Sequence, residues 1–248
     1  MSVERLERAT LQAWPAARRE TRFGWEFCAT SRCSGRVNAV WPLAWTDEVT
    51  IAQAIDEAIA WCSAHGITAC FKLADGAVAP PELAAVLDAR GFSPRTETLV
   101  MTLALAGQAR GAKGRAELLD TPDETIWTPM RESAPSLEDF AERQAIVARI
   151  GAPRVFAHAS IEGRPAAIGM GVFSDDLLGL FLMRTAPDAR RRGLARDIVG
   201  ALLDWGVERG ASRAYLQVER SNAGAVALYE SAGFETAYRY WYWTRGSG

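Results

Sequence analysis

Three consecutive arginines in a chain of net charge -2 call for an anionic ligand or for plain solvent. They lie in Pro187-Asp188-Ala189-Arg190-Arg191-Arg192-Gly193-Leu194-Ala195, between a strand-like run and a helix-like one. A turn entering a helix presents main-chain N–H groups that have no intrahelical acceptor, and the helix dipole adds partial positive charge there. Gly193 and the small Ala195 allow phosphate oxygens close to that backbone, and Arg190, Arg191 and Arg192 add forked cationic donors. The chemistry is that of holding a polyphosphate. A solvated basic turn is the plainer account of the same residues.

A second constellation weighs against the plainer account. Residues 222–234 read Asn-Ala-Gly-Ala-Val-Ala-Leu-Tyr-Glu-Ser-Ala-Gly-Phe and follow the next strand-like run. Asn222 suits a helix N-cap, which keeps its amide near the strand end. Tyr229 lies seven residues on and returns to the same helical face two turns later. A phenol there is placed to hydrogen-bond something held between the two strands; simple ring packing is the alternative.

The elements that carry these residues occur twice. Sliding the sequence by 144 residues brings Trp61 onto Trp205 and Gly66 onto Gly210. Each copy predicts a helix (51–65 and 196–209), a strand (68–73 and 213–218), a second helix (81–90 and 223–232), a Gly-Phe pair and a closing strand (96–103 and 237–244). The second copy is preceded by a strand at 115–119, helices at 122–132 and 137–150, and strands at 155–161, 166–173 and 178–185. The first opens with a predicted hairpin, 23–30 against 36–41. Residues 106–114 are rich in Gly, Ala and basic side chains and read as a linker. Alternation along the last strand predicts Tyr238, Tyr240 and Tyr242 on one face, and Arg239, Trp241 and Trp243 on the other.

Composition narrows the function classes. The chain has 248 residues and a pI near 5.8, so it lacks the basic footprint of a nucleic-acid or membrane-surface protein. No apolar run reaches the length of a membrane helix, and residues 1–8 carry mixed charge with no apolar stretch after them, unlike a secretory signal. Cys28, Cys33, Cys62 and Cys70 fit no zinc or redox spacing. Cys28 and Cys33 could meet across the first hairpin, but buried free thiols and a cytoplasmic location are expected.

Taken together, the two motifs resemble the GCN5-related N-acetyltransferase (GNAT) family. Its phosphate-loop pattern, Arg/Gln-x-x-Gly-x-Gly/Ala, is matched by Arg190, Gly193 and Ala195. Its later pattern is matched by Asn222, Ala225, Leu228, Tyr229, Glu230, Gly233 and Phe234. The resemblance implies an α/β fold of tandem GNAT-like domains, each a mixed sheet flanked by helices, with two strands splayed apart in the second. Acetyl-CoA would lie in that gap, its pyrophosphate on residues 191–195 and its pantetheine arm along Met183, Arg184 and Thr185. Asn222 would contact that arm, and Tyr229 would protonate the departing thiolate.

The first half departs from the pattern, since Thr46, Asp47, Glu48 and Val49 fall where the phosphate loop would be. Residues 1–105 are therefore expected to form a degenerate domain and 115–248 a catalytic one, with a single active site. The strand before the phosphate loop lacks the carboxylate that many members use as a base. Glu219 is the first base candidate, beside Asp175, Asp176 and His158. Direct transfer to a primary amine of a small molecule is expected, with no metal, nucleic acid or membrane partner; a homodimer stays open. The alternative is a non-catalytic acyl-CoA sensor.

Overall fold

The computed structural model describes residues 1–31, 34–106 and 114–246. Most of the expected linker, and Cys33 of the considered thiol pair, therefore lie outside the described residues. Cys28, Cys62 and Cys70 are buried free thiols.

The chain begins with a helix that the sequence reading missed, α1 (Val3–Ala13). Ser2 caps it by accepting from the Arg5 N–H, and Leu6, Ala9, Thr10 and Ala13 form its buried stripe. Charged residues crowd this segment, which hid its amphipathic period. Next come β1 (Arg18–Arg22) and β2 (Trp25–Ala29), paired from Arg18↔Ala29 to Arg22↔Trp25. Phe23 and Gly24 turn the hairpin with φ of 42° and 86°, the mirror-image geometry that tight hairpins need. The expected hairpin is thus corrected. β2 pairs first with β1, and its pairing with β3 (Val40–Trp41) is limited to Glu26↔Trp41 and Phe27↔Val40. A short 3₁₀ turn, Gly35–Val37, occupies the start of the run read as strand.

The first repeat follows as α2 (Ile51–Ala64), β4 (Cys70–Ala74), α3 (Leu83–Ala89) and β5 (Phe92–Ala104). The chain continues with β6 (Glu117–Leu119), α4 (Glu124–Glu132), α5 (Leu137–Arg149), β7 (Arg154–Ile161), β8 (Arg164–Ser174) and β9 (Leu177–Thr185). The second repeat is α6 (Leu194–Glu208), β10 (Arg213–Glu219), α7 (Ala223–Ser231) and β11 (Glu235–Arg245).

All strands join one mixed sheet in the order β1-β2-β3-β4-β11-β5-β10-β9-β8-β7-β6. The two repeats exchange their closing strands. β5, from the first, lies between β10 and β11 of the second, while β11 pairs with β4 of the first. Each repeat thus completes the other's sheet.

One face of the second half buries α1, α4 and α5 against Phe156, Ile168, Met170, Phe181 and Tyr215. The other buries α6 and α7 over Leu178, Leu180, Leu216 and Val218. A separate core sits under α2 and α3. Tyr238 and Tyr240 enter the first of these cores with Tyr242 packed beside them, whereas Arg239 is exposed and Trp243 packs on the α2–α3 core. The predicted alternation survives two register shifts in β11. Among the described residues, no helix is long and apolar enough to cross a membrane.

Candidate active site

β9 and β10 are parallel neighbours for three residue pairs only: Arg213↔Leu177, Ala214↔Leu178 and Tyr215↔Gly179. Beyond that point they part. A bulge in β9 drives the separation. Met170 pairs with Phe181 and Ile168 with Arg184, which leaves Leu182 and Met183 together opposite Gly169. Leu182 takes a φ of 55°, costly for a side chain of its size and sustained by burial. Gly169 makes the bulge fit, because a Cβ there would lie 2.6 Å from both Met183 Sδ and Ile198 Cγ2. Residues 180–185 consequently present an edge with no strand partner, as do residues 216–219 on the facing side of the gap.

The loop after β9 makes a 3₁₀ turn at Pro187–Ala189, then reverses through Arg191 (φ 64°) and Gly193 (φ 82°) into α6. Gly193 is the N-cap and brings no side chain to the helix end. Its carbonyl accepts from the Arg196 and Asp197 N–H groups, at 3.0 and 3.1 Å. Among the described residues, no acceptor engages the N–H groups of residues 191–195. Arg190, Arg191, Arg192 and Gly193 are exposed, while Ala189 and Leu194 anchor the loop in the core beneath. Open amides, a helix N-terminus and guanidinium groups that, among the described residues, have no carboxylate partner are the donors that a diphosphate would need.

The matching helix end in the first half is closed. Thr50 Oγ1 accepts from the Gln53 N–H, and the Gln53 side chain accepts from the Thr50 N–H. This capping box occupies the N-cap N–H, a donor that Gly193 leaves open. Asp47 and Glu48 add negative charge beside it.

Asn222 caps α7, its Oδ1 accepting from the Ala225 N–H at 3.2 Å. Tyr229, on the next turns of that helix, is buried beside Phe234. Burial pushes its phenol up to about 12, opposed by the charges of Arg36 and Arg184. It is therefore protonated throughout the neutral range. Met183, Arg184 and Thr185 border the gap, and the Met183 carbonyl accepts from Arg184 Nη1 at 2.9 Å. Glu219 ends β10 and is exposed.

A family model described as "Probable histone acetyltransferase Rv0428c C-terminal" matches residues 2–243. The chain belongs to this family. The "Uncharacterized N-acetyltransferase YobR" of Bacillus subtilis (strain 168) is 26% identical over 246 residues, covering 94% of each protein. The "[Ribosomal protein bS18]-alanine N-acetyltransferase" of Escherichia coli (strain K12) is 40% identical over 75 residues, 30% of this chain. That match spans about half of the relative's length, 51%. Among solved structures, a GCN5-related N-acetyltransferase from Kribbella flavida superposes with a TM-score of 0.73 at 15% identity, covering 100% of this chain and 97% of that one. In fold the chain is of the GNAT type.

Two residues of this GNAT chain join the site without having been singled out in the sequence. Arg36, from the 3₁₀ turn of the first half, donates from Nη2 to the Gln217 carbonyl at 3.2 Å, on the β10 edge that β9 has left. Arg115 reaches the phosphate loop, donating to the Arg192 carbonyl at 2.5 Å and to Asp197 Oδ2 at 2.8 Å. Neither stands in a motif, and only tertiary folding brings them in. The other base candidates lie apart from the gap. Asp176 sits before the far end of β9, bonded to Ser212 and Arg5, with Asp175 beside it. His158 lies on β7, two strands from β9, with Nε2 3.9 Å from Glu117.

Proposed function

We propose that this protein transfers an acetyl group from acetyl-CoA to the primary amine of a small molecule, directly and within a ternary complex. The observation that carries the reading is the run of open amides at residues 191–195, just after β9, the strand that parts from β10. These residues suit the coenzyme: the amides of 191–195 and Arg190, Arg191 and Arg192 would hold its pyrophosphate. The free β9 edge at Met183, Arg184 and Thr185 would pair with its pantetheine arm, with Leu194 and Ala195 forming the floor and Asn222 the far lip. The bound thioester supplies the activated acyl group.

The chain's own residues then manage two protons. An alkylamine has a pKa of about 10 and must lose a proton before it attacks. Glu219, at the end of β10, would accept that proton, directly or through water. Tyr229 holds its own proton at neutral pH and donates it to the leaving sulfur.

The division of labour follows. Residues 115–248 carry the phosphate loop and the acid. Residues 1–105 form a half with a capped helix end that supplies β5, α1 and Arg36, giving one active site per chain.

Calorimetry with coenzyme A and acetyl-CoA, followed by thiol release with free amines and an alanine-terminated peptide, tests the proposal. Heat with both ligands and acceptor-dependent thiol release are expected. Heat without turnover on any acceptor would instead favour an acyl-CoA sensor, and no heat would end both readings.

A further inference from the structure

The gap has two faces, and they differ in charge chemistry. Tyr229 belongs to the core under α6 and α7, the side on which the phosphate loop lies. The opposite face is roofed by α1 and α5. There, Gln217 donates to Thr10 of α1 and accepts from the Tyr240 hydroxyl. Arg184 is in register with Ile168, a member of that same core.

Arg36 and Arg184 both occupy this second face, one from each half of the chain. Both are partly buried. Arg36 uses Nη2 on the Gln217 carbonyl and faces Tyr240, Tyr242 and Glu219. Arg184 uses Nη1 on its neighbour's carbonyl. Among the described residues, neither guanidinium has a carboxylate within ion-pair distance. The nearby Arg143 is different, being held by Asp139 through two bonds of 2.7 and 2.9 Å. Glu142 is engaged by Ser31 and Asn38. Burial, then the like charges of Arg143 and Arg36, pushes the Arg184 guanidinium below its ordinary range, with the charge of Asp139 opposing them.

Two partly buried guanidinium groups with no carboxylate in direct contact keep forked donors to spare, and the hydrogen bonding and charge of Tyr240, Tyr242 and Glu219 hold Arg36 cationic against its burial. Each has five donors, of which carbonyls take few. Forked donors left over in this way match the two oxygens of a carboxylate. Gly35 helps to set Arg36 there, since a Cβ at Gly35 would press on the Tyr242 ring at 3.0 Å.

We propose that Arg36 and Arg184 form a carboxylate clamp on the acceptor face of the gap, so that the acceptor is a small amine that also bears a carboxylate, an amino acid or amino-acid-like molecule. This rests on the acetyl-transfer reading above. It also gives the degenerate half a role, because its Arg36 selects what the other half acetylates.

The test compares matched acceptors with acetyl-CoA as donor: a series of amino acids, their amides, and the corresponding decarboxylated amines. The acids should show kcat/KM values higher by roughly 10- to 100-fold, the worth of a charge-assisted pair. Arg36→Gln should raise KM for the acids until they equal the amides, and Arg36→Lys should fall between. Arg184→Gln provides an independent variant from the other half, and retained heat with coenzyme A shows that each variant folds. If no acceptor turns over, the same acids and amides are titrated calorimetrically into the coenzyme A complex, where only the acids should bind.

Equal behaviour of acids and amides overturns the clamp. So does an Arg36-dependent preference for succinyl-CoA over acetyl-CoA with uncharged amines, which would put the carboxylate on the donor. Absence of heat with coenzyme A itself identifies failure of the underlying reading and takes the clamp with it.

Discussion

Arg115 donates from Nη2 to the main-chain oxygen of Arg192 at 2.5 Å. Its Nε holds Asp197 at 2.8 Å, so a single guanidinium ties the crown of the phosphate loop to the first turn of α6. Hydrogen bonding to the carbonyl between Arg192 and Gly193 fixes the peptide plane whose N–H is offered to the ligand. Arg115→Met should release that plane. Because the Arg115 side chain is half exposed, the expected effect is modest: a rise in the KM for acetyl-CoA of about fivefold, roughly one net hydrogen bond, with kcat near its original value. A fall in kcat at unchanged KM would show that Arg115 acts elsewhere.

Gly193→Val should abolish coenzyme binding and leave the fold in place. Gly193 has a φ of 82°, which a β-branched residue adopts only at a cost of about 1–3 kcal/mol, and its Cβ would come 3.2 Å from Arg115 Nη2. The loop would relieve that strain by turning its amides away. Thermal unfolding should drop by only a few degrees, since the loop is exposed and its anchors, Ala189 and Leu194, are untouched. Coenzyme A heats matching the original protein would remove these amides from the site.

How much of this was readable in the chain depended on how local each feature is. The phosphate loop and the Asn222 cap are short-range geometry, set by Gly193 and by an Asn three residues before the N–H it accepts. The repeated elements follow hydrophobic period and Gly punctuation and lie within a few residues of their expected bounds. The exchange of β5 and β11 was not readable. Each strand alternates as any half-buried strand would, and nothing in residues 92–104 names β10 as a partner. Arg36 and Arg115 were hidden for the same reason. Their roles depend on carbonyls at Gln217 and Arg192, 181 and 77 residues away. The helix α1 was obscured by its charges, one of which proves to be buried.

Tyr229→Phe keeps the ring packing against Phe234 and removes only the hydroxyl, so melting and coenzyme A heats should stay within error. Turnover should fall by about 100-fold or more, the usual worth of a general acid. The sign of the pH dependence follows from burial. The folded phenol is raised to about 12, so the acid form is present at neutral pH and is lost only as pH rises towards that value. The original enzyme should therefore show no descending limb from Tyr229 below about pH 11. Undiminished turnover by the Phe variant would take the acid role away from Tyr229.

The buried charge on α1 is Glu7, and it locks that helix to the sheet from which both halves are built. Its carboxylate accepts from Lys72 Nζ at 2.8 and 2.6 Å and from the Tyr238 hydroxyl at 2.6 Å, with both charged side chains essentially inaccessible. The ammonium lies 3.7 Å from the centre of the Trp41 ring and 3.9 Å from that of Tyr240. Removing one partner strands the other, so Lys72→Met should destabilise the protein by about 3–5 kcal/mol in denaturant unfolding. Glu7→Gln leaves the ammonium without its counter-ion and should cost a similar amount. The double variant Glu7→Leu/Lys72→Met removes both charges and should recover much of the loss, because an apolar pair carries no desolvation penalty. The same helix carries Thr10, which receives Gln217 at the gap, so each single variant should also weaken acceptor binding before it unfolds the chain. With Glu7→Leu measured alone to complete the cycle, a double variant whose loss equals the sum of the two single losses would show that Glu7 and Lys72 act independently rather than as a pair.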